Sequence, residues 1–138
     1  MKKLILTLAL LFSGVACAGP NNASKNHSSN SASIVEITGA NYDKLITSKS
    51  PVVVDVYADW CMPCKNFGKV FDKVNKDLGS KYQFAKLNID KIGNKADPLK
   101  IGSIPAVIFI QNGKEVGRHV GAMSEDTFRS ELKKYFGS

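Results

Sequence analysis

Sulfur and imidazole are scarce in this chain: three cysteines and two histidines among 138 residues. Three cysteines make a poor disulfide framework, so one of them should have a job separate from the other two. A closed zinc site needs four ligands, and beyond a Cys-x-x-Cys pair only His27, His119 and Cys17 remain, which argues against a metal. Acid is short as well, 12 Asp and Glu against 19 Lys and Arg, for a formal charge of +7. That excess raises nucleic acid as a partner. The lysines at 65, 69, 73, 76, 81, 86, 91, 95 and 100 lack the interleaved aromatics of a single-strand groove, however, and read as a solvated surface with no nucleic acid bound. Some of these charges could steer acidic partners or an anionic bilayer surface. Length and a 43% apolar content allow one small domain with a single core and exclude a disordered or multidomain chain.

No apolar run is long enough for a permanent membrane helix: Leu4 to Ala18 is fifteen residues, against the roughly 20 that span a bilayer. Preceded by Met1-Lys2-Lys3 and ending in the small residues Ser13 to Ala18, this stretch reads as an export signal over residues 1–16. Two cleavage readings treat Cys17 differently. Ala16-Cys17-Ala18 fits an ordinary small-x-small site that discards Cys17. Gly14-Val15-Ala16-Cys17 resembles a bacterial lipobox, which would make Cys17 an acylated first residue and a lipid anchor, although most lipoboxes carry Leu where Gly14 stands. The short signal and the polar stretch directly after it favour the lipoprotein reading.

Residues 17–33 form a linker. Nine of the sixteen residues from Ala18 to Ser33 are Asn or Ser and none is a large apolar residue, so the segment cannot build a core. Sixteen such residues span roughly 20 to 24 Å, a length suited to holding a domain just off a membrane.

Residues 34–138 form the domain. Ile34 to Ile37 reads as a strand, Ala40 to Thr47 as a helical turn or two, and Val52 to Tyr57 as a strand buried on both faces. A helix runs through Leu78 to a stop at Gly79, followed by a strand from Gln83 to Ile89 and a short helical segment around Pro98 to Ile101. Asn112-Gly113 predicts a hairpin joining strands Ala106 to Gln111 and Glu115 to Val120. Ser124 starts a last helix with acids in its first turn and lysines in its last. The order β-α-β-α-β-α-β-β-α predicts an α/β fold, a central mixed sheet with helices on both faces.

Chemistry concentrates at Trp60-Cys61-Met62-Pro63-Cys64-Lys65, between a buried strand and a helix start. A Cys-x-x-Cys in that place can be a redox pair, half a zinc site or a structural disulfide. Position favours redox. The helix N-terminus stabilises a thiolate on Cys61, the nucleophile, while Cys64 one turn inward would be the resolving thiol.

Around this motif the domain resembles thioredoxin over about a hundred residues. The matching segments are Val54 to Lys65, Ala85 to Asp90, Gly102-Ser103-Ile104-Pro105-Ala106, and Asn112-Gly113 through Val120-Gly121-Ala122. The resemblance implies a thiol:disulfide oxidoreductase without a cofactor beyond its own Cys61–Cys64 disulfide. Asp55 resembles the buried carboxylate behind the second cysteine, Lys86 its neighbouring lysine, and Pro105 the cis-proline beside the disulfide. A carboxylate inside the apolar run Val52 to Val56 is costly unless paired, and burial should raise its pKa. Asp55 could then take the Cys64 proton through a water, or be a structural carboxylate paired with Lys86. Trp60, Met62, Ile104, Pro105, Gly121 and Ala122 would form an apolar rim on which an extended substrate pairs with the Ile104 backbone.

Departures bear on direction. Met62 replaces a glycine, Tyr57 stands where tryptophan is common, and Lys69 replaces the proline that kinks the active-site helix. Pro63 has no N–H to offer the thiolate, and neither residue between the cysteines is cationic, which points to a reducing couple. Forty-four positions separate Cys61 from Pro105 and leave no room for the helical insertion of the oxidising relatives. No isomerase-type dimerisation domain is visible, and a monomer is expected. The reading is an exported reductant of disulfide- or thiol-containing envelope proteins, recharged by a DsbD-like membrane electron donor. A disulfide oxidase or isomerase with the same site, and a non-catalytic binding module, are the alternatives.

Overall fold

The computed structural model describes residues 32–137; the signal, Cys17 and the linker up to residue 31 lie outside them. Strand β1 (Val35–Glu36) leads to α1 (Tyr42–Ile46), β2 (Val52–Tyr57), α2 (Met62–Leu78) and β3 (Gln83–Asn88). Then come α3 (Ile89–Ile92), a 3₁₀ segment (Gly93–Leu99), β4 (Ala106–Gln111), β5 (Lys114–Val120) and α4 (Glu125–Phe136). One five-stranded sheet has the order β1-β3-β2-β4-β5. β1 and β2 lie parallel to β3, whereas β4 runs antiparallel to both β2 and β5.

Alternation along β2 explains how one strand serves two cores. Val52, Val54 and Val56 face the side covered by α1, α3 and the 3₁₀ segment, where Tyr42, Ile92, Ala96 and Leu99 pack. Val53 faces the other side with Phe67, Phe71 and Val74 of α2 and Phe128 and Leu132 of α4. Helices therefore cover both faces, as expected. The i, i+4, i+7 spacing of Phe67, Phe71 and Val74 gives α2 its apolar stripe. Phe71 lies at the centre of that layer, its ring centroid 5.1 Å from Phe84, 5.5 Å from Phe128 and 6.1 Å from Phe67.

Several boundaries differ from expectation. Helical structure begins at Ile89, not near Pro98, because the Asn88 side chain caps it by accepting from Asp90 N at 3.0 Å. It ends at Leu99, where Lys100 turns to φ 49° and Arg118 Nη2 donates to Leu99 O at 2.8 Å. The first strand is also shorter than read, only Val35–Glu36, because this edge pairs with β3 at just two positions.

The hairpin forms where Asn112-Gly113 placed it, both residues having positive φ, 52° and 70°. Within it the register shifts between Phe109 and Ile110, with Gly117 opposite Phe109. Tyr135 of α4 packs tilted against Phe109, ring centroids 4.7 Å apart, and a Cβ at position 117 would fall on the Tyr135 ring. Gly117→Ala should therefore lose about 1–3 kcal/mol of stability, read as a lower urea midpoint with unchanged slope. An unchanged midpoint would mean that Tyr135 moves aside freely.

Candidate active site

Cys61 is the N-cap of α2. Its Sγ accepts the Cys64 backbone N–H at 3.2 Å, and Pro63 occupies the first turn, where no intrahelical N–H bond is lost. Cys61 and Cys64 are joined as a disulfide with their Cα atoms 5.2 Å apart. Their exposures barely differ, 5% and 3%, so shielding alone does not separate a nucleophile from a resolving thiol. Their surroundings do. Cys61 borders a shallow groove with Trp60, Met62, Pro63 and Ile104, whereas Cys64 lines a cavity of about 260 Å³ reaching Asp55, Asp72 and Lys86.

The groove is apolar where a partner chain would touch it. Trp60 and Met62 are 69% and 62% exposed, and Ile104 packs against the two cysteines. Trp60 is held by its indole N–H, which donates to Asp90 Oδ2 at 2.9 Å. The Ile104–Pro105 peptide is cis, and Pro105 O accepts from Gly121 N at 2.8 Å, so the two loops expected to carry the rim meet here. Ala122 is exposed in the same loop.

Behind Cys64 the chemistry is ionic. Asp55 lies in the middle of β2 on the α2 side, 1% exposed, and its Oδ1 has no hydrogen-bond partner in the protein. Burial pushes its carboxyl up to about 7; the Lys86 ammonium opposes that rise, and the Asp72 and Glu36 carboxylates add to it. Lys86 faces Asp55 in the β2–β3 register, yet its Nζ bonds Asp72 Oδ1 at 2.7 Å. The bonded partner of the lysine in the structure is thus Asp72 of α2 and not Asp55. Tyr57 donates its hydroxyl to Glu36 Oε1 at 2.9 Å, and burial together with Glu36 pushes that hydroxyl up to about 12.

Comparison with known proteins gives the same assignment. The family model described as Thioredoxin matches residues 33–134. The chain belongs to the thioredoxin family. It is 36% identical to a thioredoxin of Mycoplasmoides gallisepticum over 68% of this chain and 93% of that one. Identity is also 36% to a thioredoxin of Buchnera aphidicola, over 74% and 94%. Among solved structures, a thioredoxin of Malassezia sympodialis matches with TM-score 0.69 at 27% identity, covering 75% of this chain and 91% of that one.

As a member of the thioredoxin family the protein is a thiol:disulfide oxidoreductase whose electron carrier is the Cys61–Cys64 pair itself. Among the described residues no three His, Cys, Asp or Glu side chains are grouped to hold a metal ion. Sequence reasoning missed Asp72, Asp90 and Glu36. Asp72 had a readable signal: Cys64, Gly68 and Asp72 recur every fourth residue and line one cavity along α2.

The buried carboxyl sets a pH dependence whose sign is fixed. Its folded pKa, about 7, lies above its ordinary value of 3.8, so the folded state holds the proton more tightly and stability falls as pH rises through that window. Asp55→Asn removes that penalty. It should stabilise the protein by about 2–4 kcal/mol at pH 8 and by almost nothing below pH 4. Denaturant midpoints of both proteins at the two pH values decide; an equal difference at both would refute a charge origin.

Proposed function

We propose that the protein is an exported thioredoxin-like reductant of disulfides in envelope proteins, working through a mixed disulfide. The observation that carries the reductive chemistry is the division of surroundings, Cys61 on the apolar groove and Cys64 on the carboxyl cavity. The Cys61 thiolate attacks one sulfur of a partner disulfide, and the partner's other sulfur leaves as a thiolate that takes a proton. Asp55, through a water for which the cavity has room, accepts the proton of Cys64. Cys64 then attacks Cys61 Sγ, releasing the second partner thiol and closing the disulfide present in the structure. Lys86 stays bonded to Asp72 as that proton moves and acts on Asp55 only from the neighbouring strand. Trp60, Met62, Ile104, Pro105 and Gly121 would hold an extended segment of the partner.

Reduction is favoured over oxidation by the charges near the thiols. The residues between the cysteines, Met62 and Pro63, carry none, and Asp55 places a developing negative charge behind Cys64. Both raise the cost of a thiolate, and costly thiolates make the disulfide the preferred state. Export rests on the leader pattern of residues 1–16, with Cys17 as a lipid anchor and the Asn/Ser linker as its tether. Outside the cytoplasm electrons would return through a DsbD-like membrane donor, and the domain acts as a monomer.

Cys64→Ala lacks the resolving thiol. Expressed in a bacterial envelope it should accumulate Cys61-linked mixed disulfides with exported proteins, seen as dithiothreitol-sensitive bands that vanish in Cys61→Ser. Absence of such adducts, with no insulin reduction by the parent protein, would refute the reading.

A further inference from the structure

Lys86 is placed to neutralise Asp55 and is prevented from doing so. Cross-strand register sets Glu36 of β1, Lys86 of β3 and Asp55 of β2 side by side in one row. Glu36 is engaged by the Tyr57 hydroxyl. The Lys86 ammonium bonds Asp72 of α2, which is half exposed at the cavity mouth, and lies over the Phe71 ring at 5.8 Å from its centroid. Gly68, one turn before Asp72, leaves this path open, since even a Cβ there would stand 3.9 Å from Lys86 Nζ. Asp55 Oδ1 is left without a partner.

We propose that Asp72 is a positioning residue for proton transfer, binding the Lys86 ammonium at the cavity mouth and thereby withholding a counter-ion from the buried Asp55 carboxyl. Withheld, the ammonium leaves Asp55 able to hold a proton and to pass it on. Released, it would swing inward along its flexible stem and fix the carboxylate as half of an ion pair. The other charged or titratable groups facing Asp55 do not duplicate this role. Lys65 and Lys69 of α2 line the same cavity but bond no carboxylate there, and Asp59 after β2 pairs outward with Lys91. Cys64 is the thiol being served, and Tyr57 is committed to Glu36. From β4 the register neighbour is the apolar Val107, with His119 of β5 one strand further away.

This inference rests on the proton-transfer role given to Asp55 above, and its test is read without turnover so that the two can fail separately. The titration midpoint of the Asp55 carboxyl would be followed by ¹³C NMR in the oxidised full-length protein, in Asp72→Asn, Lys86→Met and the double variant. Asp72→Asn should lower the midpoint by about one pH unit, a tenfold change in proton affinity, as an ammonium moves within reach. With Lys86 already replaced by Met, the same change at Asp72 should move the midpoint far less. Equal shifts in both backgrounds would reduce Asp72 to a distant charge and overturn the positioning role, as would no shift in either. Separately, an Asp55→Asn protein that resolves mixed disulfides as fast as the parent would overturn the role of Asp55 itself.

Discussion

A single buried carboxyl group, one oxygen of which has no hydrogen-bond partner, constrains the rest of this structure from the middle of the central strand. β2 is buried on both faces and pairs on both edges, so Asp55 has no route to solvent except past α2. Nothing in the packing requires a carboxyl there, since its neighbours Val53 and Val107 fill the same layer with hydrocarbon. An acid kept at such a position costs stability whenever it ionises; in the proposed mechanism that cost is what lets the group return its proton near neutral pH.

From that constraint the layout of the two thiols follows. The N-terminus of α2 fixes Cys61 at the cap and turns Cys64 inward, so that one sulfur borders an apolar groove while the other looks into the acid cavity. The groove can hold a polypeptide by its backbone and by flat contacts with Trp60 and Met62. In the proposed mechanism the cavity handles protons. Both cysteine residues are buried, so what distinguishes them here is what each faces.

Most of the architecture was legible because its signals are local. Alternating valines in β2, the Phe67-Phe71-Val74 stripe, the Asn112-Gly113 turn and the Ser124 cap each fix an element from a few neighbouring residues. The Cys-x-x-Cys pair and the buried acid were legible for the same reason. What escaped depends on contacts between distant residues. The start of α3 was obscured because Asn88 closes a strand and caps a helix at once. Lys86 was placed beside Asp55 correctly by register, but its partner Asp72 lies on a different element, fourteen residues earlier. Asp90, which anchors Trp60 thirty residues away, is a similar case.

On the proposed reductive reading, the absence of a cation between the cysteines, a proline that offers no N–H and a carboxyl behind Cys64 would together make the dithiol a poor thiolate and the disulfide the stable state. The reduction potential of the Cys61–Cys64 couple measures that balance directly. Equilibrated with glutathione at pH 7, the couple should lie at the reducing end of the thioredoxin-fold range, at about −270 mV. A value near the oxidising end, about −120 mV, would contradict the account and make the protein a donor of disulfides instead.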